Sequence, residues 1–340
     1  MQIGIDSFAA VVTDPDTGLT LSGADRLAHL VEEIERADAV GLDSFGIGEH
    51  HRREYLDSAP ALILAAAAAR TSRIRLASAV TVLSADDPVR VFQQYSTLDL
   101  LSRGRAEIVA GRGSSIEAYP LFGLNLRDYD ALFAEKLGLL LKLREEVEVH
   151  WSGRFRPPLT GQGVYPRPVQ NPIPVWLGVG GTPESFARAG MLGLPLMVAI
   201  IGGEFRRFAP LVDLYRRAGA AAGHSPELLR VGVHAFGFVA ETAERARDLF
   251  YPGYARLFGT LGRERGWPPP TRERFDAECG PRGAYLIGGV EDVVRKAAYL
   301  NEVLGGVDRL TFQMTNVMLA HDDMLGAIGL LGEEVAPRLR

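Results

Sequence analysis

Eight short apolar runs, each followed by at least one helical pattern, constrain the fold of this chain more than any other feature of its sequence. The runs predict strands at residues 2–7, 42–48, 74–82, 105–110, 175–179, 194–200, 231–239 and 309–314. They are almost continuously apolar, as expected for parallel strands that helices cover. Eight βα units in 340 residues predict an α/β fold, a TIM (β/α)8 barrel. A doubly wound open sheet is the alternative, but no Gly-x-Gly-x-x-Gly motif follows the first strand.

Helical patterns alternate with these runs. They predict helices at residues 24–40, 59–70, 88–101, 127–147, 205–222, 241–265, 292–304 and 321–334, and one that ends at residue 192. Ser22 can cap the first helix, and Asp57 or Ser58 can start the second.

Two stretches rich in proline and polar residues interrupt this alternation. One lies at about 150–174, after the fourth strand, and the other at about 251–283, after the seventh. Because neither shows a clear period, we interpret them as insertions after strands 4 and 7 of a single domain, residues 1–340.

Charge and cysteine content narrow the possible partners and location. A net charge of -5 argues against a nucleic-acid partner and against an anionic membrane surface. The one cysteine, Cys279, excludes an intrachain disulfide framework and favours the cytoplasm. The first residues are typical of a strand rather than a signal peptide, and the most apolar window, 59–69, is too short to span a bilayer.

In a TIM barrel the functional residues lie at the carboxyl ends of the strands. The second strand ends in Glu49, His50 and His51. Adjacent histidines on an extended backbone point to opposite faces, so at most one of them faces a shared pocket. This spacing argues against a metal site at the pair. The remaining histidines sit in no ligand-spaced pair, and we expect structural or solvated roles for His29, His150, His224, His234 and His321.

A glycine-rich turn at residues 178–185 follows the fifth strand and leads into a helix. Free backbone N–H groups and the positive end of the helix dipole favour a phosphate at such a turn. Arg112, flanked by glycines after the fourth strand, could supply a fixed positive charge. Each feature has a plainer interpretation, since glycines permit any tight turn and Arg112 could be a surface residue.

Several segments, in order along the chain, together carry a family resemblance. They are residues 48–51, 78–84 leading to 87–90, 98–105, 111–113, 180–185 and 334–337. On these segments the chain resembles the luciferase-like flavin-dependent oxidoreductases of the bacterial luciferase superfamily.

The resemblance implies a TIM barrel that binds FMN, usually as the reduced flavin, with oxygen as co-substrate. It implies that His50 lies near the reactive edge of the flavin, that Arg112 binds the phosphate, and that a cis peptide bond joins Ala79 and Val80. The predicted cofactor-binding residues are Ala79, Val80, Arg112, Ser114, Gly180, Gly181, Thr182, Glu184 and Ser185. Strand-end positions add substrate-pocket candidates, namely Phe8, His51, Tyr119, Phe122 and Gln313. No metal is predicted.

The family leaves the exact function open. The main prediction is a monooxygenase that uses reduced FMN and oxygen on a small organic substrate. The alternatives are an F420-dependent hydride-transfer enzyme and a non-catalytic flavin-binding protein on the same barrel. The Glu-His-His sequence at 49–51 resembles the FMN branch more closely.

Two protein partners follow from the same reasoning. The sequence has no second nucleotide-binding motif, so we expect a separate flavin reductase to deliver reduced FMN as a transient partner. Helix 59–70 is apolar nearly all round, which is typical of a buried helix or a close helix–helix interface. Family members commonly dimerise through this region, so we predict a homodimer; burial within the monomer is the alternative.

Overall fold

Parallel pairing joins the first strand to both the second and the last, and this closes the sheet into a barrel. A computed structural model describes residues 1–15, 17–113 and 115–340. The strands are β1 (Gln2–Ser7), β2 (Ser44–Ile47), β3 (Arg75–Ser78), β4 (Thr81–Val82), β5 (Ala106–Gly111), β6 (Glu148–Trp151), β7 (Leu159–Gly163), β8 (Val175–Val179), β9 (Leu196–Ile200), β10 (Val231–Val239), β11 (Leu286–Gly288) and β12 (Arg309–Gln313).

The barrel order is β1, β2, β3, β5, β8, β9, β10 and β12, all parallel. The short strand β4 continues β3 alongside β5, and β11 pairs with the carboxyl end of β10. The predicted TIM (β/α)8 barrel is therefore confirmed, with its eight strands at the predicted places.

Helices cover the outside of the barrel. They are α1 (Gly23–Ala39), α2 (Pro60–Ala68), α3 (Pro88–Ser102), α4 (Ala118–Leu121), α5 (Tyr129–Glu145), α6 (Pro183–Met191), α7 (Ala209–Ala221), α8 (Ala243–Arg265), α9 (Arg272–Cys279), α10 (Val290–Val303) and α11 (His321–Leu330). The main apolar core lies between them and the outward-facing strand residues, such as Phe45, Ile108 and Phe312. Within the described ranges, no helix has the length and apolarity to cross a membrane.

Glycines line part of the barrel interior. A Cβ added at Gly46 would lie 2.1 Å from Asp6 Oδ1, and one added at Gly111 would lie 2.5 Å from a Val80 methyl. A third, added at Gly178, would approach Val80 to 2.8 Å. Barrels of this type are usually filled by branched aliphatic side chains. Here glycine leaves room for polar side chains and for a cavity that extends down between the strands.

Both predicted insertions contain regular structure; the β6–β7 hairpin and α9 were not predicted, whereas the second half of α8 lies within the helix predicted at 241–265. The first contains most of an antiparallel hairpin, β6 and β7, whose register shifts at a bulge between Val149 and His150. The second contains the carboxyl-terminal half of α8 and the whole of α9. Pro252 lies inside α8. Proline normally breaks a helix, but buried Phe250 and Tyr254 on either side hold this one against the barrel.

Of the caps predicted for the first two helices, one was confirmed and one was wrong. The Ser22 side chain accepts a hydrogen bond from the Asp25 backbone N–H, as predicted for the start of α1. The prediction for α2 was wrong, because its N-cap is Ala59 and no side chain caps it. Asp57 is fully buried instead and hydrogen-bonds to His50.

Candidate active site

A cavity of about 600 Å³ opens at the carboxyl ends of the barrel strands and reaches into the barrel interior. This is the usual size for an organic ligand. Its outer wall is mainly apolar and comes from the segment after β1, the loop after β2, strand β10, the second half of α8 and the residues just beyond it. It includes Phe8, Tyr55, Phe236, Leu257, Phe258, Leu261 and Trp267. Its inner wall is more polar and includes Asp6, Ser44, His234, Arg309, Thr311 and Gln313.

His50 faces this cavity from the end of β2. Its Nδ1 donates to Oδ2 of Asp57 over 2.9 Å, and its backbone N–H donates to Oδ1 of the same carboxylate over 3.1 Å. The ring packs against Phe8 and Tyr55, with centroid distances of 4.6 and 4.4 Å. Burial raises the pKa of the Asp57 carboxyl, and the hydrogen bond and charge of His50 act in the opposite direction. Asp57 therefore fixes the orientation of His50 and leaves its Nε2 toward the cavity.

His51 points the other way, as strand alternation predicts. Its Nε2 donates to Glu49 Oε1 over 3.1 Å, and Glu49 Oε2 accepts from the Val82 backbone N–H over 2.8 Å. The hydrogen bond and the charge of Glu49 raise the pKa of His51 against the opposing effect of burial. The Phe122 ring contacts His51 edge-on at 5.0 Å.

Three of the substrate-pocket candidates lie outside the cavity lining. His51 is turned toward Glu49, Phe122 is exposed on the far side of His51, and Tyr119 is buried beneath the loop that follows β5. The other two candidates, Phe8 and Gln313, do line the cavity. Position at a strand end does not decide the direction of a side chain, which explains the mixed result.

A second histidine–carboxylate pair lies deeper in the cavity. His234 Nδ1 donates to Asp6 Oδ2 over 2.6 Å, and the Thr311 hydroxyl donates to the same oxygen. The His234 ring stacks on Phe8 with centroids 5.9 Å apart and planes within 16°. Sequence analysis missed this site, because Asp6, His234 and Thr311 come from three distant strands that meet only when the barrel closes.

Arg112 lies at the cavity edge between β5 and the glycine-rich turn. Its Nη2 donates to Ser185 Oγ over 3.1 Å, its Nη1 pairs with Asp130, and its guanidinium lies 5.0 Å from the Tyr129 ring centroid. Thr182 occupies the N-cap position of α6, but its hydroxyl accepts no capping hydrogen bond. The amino-terminal end of α6 lies beside Arg112, although Pro183 has no N–H and the Ser185 N–H already donates to the Thr182 carbonyl.

The structure brings most of the predicted cofactor-binding residues together. Ala79, Val80, Arg112, Gly180, Gly181 and Thr182 all line the cavity. Ser185 is held against Arg112, whereas Glu184 is exposed beside them and does not line the cavity. Ser114 lies outside the described residues. The peptide bond between Ala79 and Val80 is cis, as the resemblance implies.

A buried ion pair forms the floor of the cavity. Arg309 donates through both terminal nitrogens to the carboxylate of Glu107, and its Nε donates to Gln2 Oε1 over 2.9 Å. Its guanidinium lies 4.5 Å from the Trp176 ring centroid. Burial acts to raise the pKa of Glu107, but the charge of Arg309 and their hydrogen bonds outweigh it and lower the pKa. Glu107, Arg309 and Trp176 are at most 2% exposed, so the barrel is closed at this end.

Arg52 joins three segments around the cavity mouth. Its guanidinium pairs with Glu54 in its own loop, with Glu117 in the loop after β5, and with Glu264 near the end of α8. Within the part of the chain that the structure describes, no cluster of three or more histidine, cysteine or acidic residues could hold a metal ion.

Comparison with known proteins agrees with this geometry. The family model for luciferase-like monooxygenases matches residues 1–305. The chain belongs to the luciferase-like monooxygenase family. A relative in this family, 4-hydroxyprotoasukamycin monooxygenase of Streptomyces nodosus subsp. asukaensis, is 26% identical over 91% of this chain and 85% of its own length. An uncharacterised protein of Sinorhizobium fredii is 30% identical, but the match spans only 64% of this chain and 62% of that protein.

Solved structures share the luciferase-like fold over the whole chain. Monooxygenase RslO1 from Streptomyces bottropensis is 22% identical with a TM-score of 0.85, covering 100% of both chains. The oxygenating constituent of 3,6-diketocamphane monooxygenase from Pseudomonas putida, solved in complex with FMN, is 19% identical with a TM-score of 0.79 over 100% and 99% of the chains. The F420-dependent tetrahydromethanopterin reductase of Methanopyrus kandleri is 18% identical with a TM-score of 0.74 over 100% of both.

Proposed function

We propose that this luciferase-like oxidoreductase is a flavin-dependent monooxygenase that uses reduced FMN and oxygen on a small organic substrate. One observation carries the proposal. A cavity of ligand size has hydrogen-bond donors suited to a phosphate at one edge, at Arg112, and the His50–Asp57 pair on another wall. A flavin phosphate needs the first feature, and controlled proton transfer needs the second.

The residues at the cavity edge fit the phosphate of FMN. The Arg112 guanidinium, the Thr182 hydroxyl and the amino-terminal end of α6 lie there. A Cβ at Gly180 or Gly181 would meet nothing within 4 Å, so the turn leaves space for a ligand to approach the backbone. We propose that these groups hold the phosphate and that Ala79 and Val80 line the site of the flavin ring. When bound, reduced FMN would supply the electrons that activate oxygen.

The protein itself would control protons and water. His50 can accept or donate a proton at Nε2, because Nδ1 is committed to Asp57. Asp57 holds that tautomer and stabilises the charged ring, as the carboxylate does in a catalytic triad. The apolar outer wall would exclude water from the reacting atoms once a ligand fills the cavity.

F420-dependent hydride transfer is the competing function, since a family neighbour of similar fold uses F420. The 3,6-diketocamphane monooxygenase constituent was solved with FMN, and the Glu49-His50-His51 sequence resembles that branch. We favour FMN on this basis.

Titration of the purified protein with FMN and with F420, followed by tryptophan fluorescence and visible absorbance, tests the choice of cofactor. We expect FMN to bind more tightly, and reduced FMN to be reoxidised by oxygen in a protein-dependent way. Tighter binding of F420, with reversible reduction in the absence of oxygen, would overturn the proposal. Tight FMN binding with no effect of the protein on oxygen chemistry would instead support a non-catalytic flavin-binding protein.

We also propose two protein partners. One is a flavin reductase that delivers reduced FMN transiently. The other is a second copy of the chain, bound through α2, where Leu62 is 73% exposed beside a groove shared with α3. Sedimentation of the wild type and of Leu62→Glu tests the homodimer: the variant should sediment as a monomer. A wild-type monomer would contradict it.

A further inference from the structure

The deeper histidine of the cavity has no part in the function proposed above. His234 and His50 lie on either side of Phe8, with ring centroids 5.9 and 4.6 Å from it. His234 is 8% exposed, and its Nδ1 is committed to the Asp6 carboxylate. Among residues 1–15, 17–113 and 115–340, no protein group hydrogen-bonds to its Nε2.

Asp6 is arranged to support a charged imidazole. Its Oδ2 accepts hydrogen bonds from both His234 and the Thr311 hydroxyl, and both donors are buried. A carboxylate that holds Nδ1–H fixes Nε2 as the atom that exchanges a proton and stabilises the imidazolium that forms. Two strands build this unit on either side of a third, since β1 and β10 both pair with β12.

Two other polar side chains in the same part of the cavity have buried atoms without a hydrogen-bond partner in the described structure. They are Ser44 Oγ and Gln313 Oε1, and both residues line the cavity. Leaving a buried polar atom unpaired costs about 1–3 kcal/mol. A ligand with a polar group at this depth would relieve that cost.

The surroundings favour an apolar body for the rest of the ligand. Phe8 stacks almost parallel to His234, and Phe236 and Phe258 continue the apolar wall toward the mouth. The charged groups nearby are the floor cation Arg309, paired with Glu107, and the Asp6 carboxylate itself. Neither leaves an unpaired charge to hold an ionic ligand, so the polar group of the ligand is a neutral donor.

We propose that His234, positioned by Asp6 and Thr311, is a second acid–base residue of this site and that it receives the hydroxyl group of a phenolic substrate. This deepens the proposed monooxygenase function and rests on it. The phenol O–H transfers its proton to Nε2 of His234, giving a phenolate and an imidazolium, and the reverse transfer restores both. An aliphatic alcohol is too weak an acid for imidazole to deprotonate, whereas a phenol is within reach.

Phenolate formation has a direct chemical use. It raises the electron density of the ring carbons next to the hydroxyl-bearing carbon, which are the positions that an electrophilic oxygen donor attacks. His50 and His234 would then divide the proton transfers, His50 toward the cofactor and His234 toward the substrate.

The test uses 4-nitrophenol as the probe, because its phenolate has a visible absorbance band that the neutral form lacks. We expect the wild-type protein, with and without saturating FMN, to convert bound probe to phenolate at a pH at which most of the free probe is neutral. His234→Gln should weaken binding roughly tenfold or leave the probe neutral. His50→Gln should keep the phenolate band, as should the surface control His224→Gln.

Three outcomes would overturn the proposal: no binding of the probe at millimolar concentration, a phenolate band that survives in His234→Gln, or displacement of the probe by FMN. If His234→Gln does not fold, Asp6→Asn decides instead. Its amide can accept from Nδ1 or donate to it, but in neither orientation can it balance the imidazolium, so the phenolate fraction should fall while the probe still binds. FMN titrations of the same proteins separate this result from a failure of the proposed function, which would appear as loss of FMN binding in the wild type.

Discussion

Nδ1 of His50 lies 2.9 Å from Oδ2 of Asp57, and that carboxylate is completely buried. The two residues are seven positions apart on the loop that follows β2, so a single loop supplies both the ring that faces the cavity and the group that orients it. The second oxygen of Asp57 accepts the His50 backbone N–H over 3.1 Å. The ring is therefore fixed from both its side chain and its main chain.

Asp57→Asn tests this relationship. The amide keeps the shape of the carboxylate but can present N–H to Nδ1, which favours the wrong tautomer and removes the balancing charge. We expect the rate at which bound reduced FMN is reoxidised by oxygen, or the turnover of a substrate once one is known, to fall roughly 10²–10⁴-fold. FMN affinity should stay within about threefold, which fluorescence titration would measure. A variant with normal rates would rule out the orienting role.

Substitutions at Arg112 and at Asp130 should change FMN affinity in opposite directions. Arg112→Ala removes a charged donor from the phosphate edge and should weaken FMN binding about 10- to 100-fold. Asp130→Asn removes the anion that pairs with Arg112 and should tighten FMN binding. Arg53→Ala, which removes an arginine that is 87% exposed, is the matched control. Equal affinities in all four proteins, measured by fluorescence titration, would place the phosphate elsewhere.

Glu107→Gln tests the buried floor. The substitution leaves the Arg309 guanidinium buried without a counter-charge, which costs about 3 kcal/mol and should lower Tm by roughly 4 °C. Replacing both residues, Glu107→Leu with Arg309→Met, should recover most of that loss, because the charge that remains, on Arg75, is 37% exposed. Calorimetry of the three proteins decides the point; a double variant as unstable as the single one would show that the pair matters by shape rather than charge.

The Glu49–His51 pair predicts a pH-dependent contribution to stability. Its hydrogen bond raises the pKa of His51 above the ordinary value of 6.5. A raised folded-state pKa means that the contribution is fully present below 6.5 and is lost as the pH rises through the folded-state value. The Tm advantage of the wild type over His51→Gln should therefore be larger at acidic pH than at alkaline pH. An advantage that grows with pH would contradict this sign.

Arg52→Gln tests whether the second half of α8 is held over the cavity by the three carboxylates that Arg52 binds. Losing these ion pairs should cost roughly 1 kcal/mol and raise the population of the open form about fivefold. Limited proteolysis with mass spectrometry should then show faster cleavage near residues 255–267. The control variant Arg53→Gln, in the same loop, should be cleaved by the protease at the wild-type rate. Equal rates for Arg52→Gln and the wild type would mean that apolar packing alone holds the helix.

The barrel could be predicted from the sequence because the patterns that define its strands and helices are local. Each strand is a short apolar run and each helix has its own period, and eight repeats of that alternation leave few topologies. The hairpin at Glu148–Gly163 escaped because its second strand, rich in glycine, threonine and glutamine, has no apolar pattern. Helix α9 escaped for a similar reason, since seven of its eight residues are not buried.

The residues of the candidate site that could be predicted are likewise those that lie in short local motifs. His50, Arg112 and the glycine-rich turn were found because short motifs carry them. Asp57 was seen in the sequence but read as a helix cap, since its burial depends on how the loop folds back on His50. Asp6 and His234 are 228 positions apart. Only the closure of the barrel makes them neighbours, and no local pattern encodes that distance.

The closed floor of the barrel determines the order in which two ligands can bind and leave. Glu107, Arg309 and Trp176 close the amino-terminal end, so the cavity has its opening at the strand carboxyl ends. A molecule that binds near His234 must arrive before the mouth is filled and leave after it is cleared. The ligand that binds last, at the mouth, must therefore dissociate first. For a two-ligand enzyme of this shape, steady-state kinetics should be ordered rather than random.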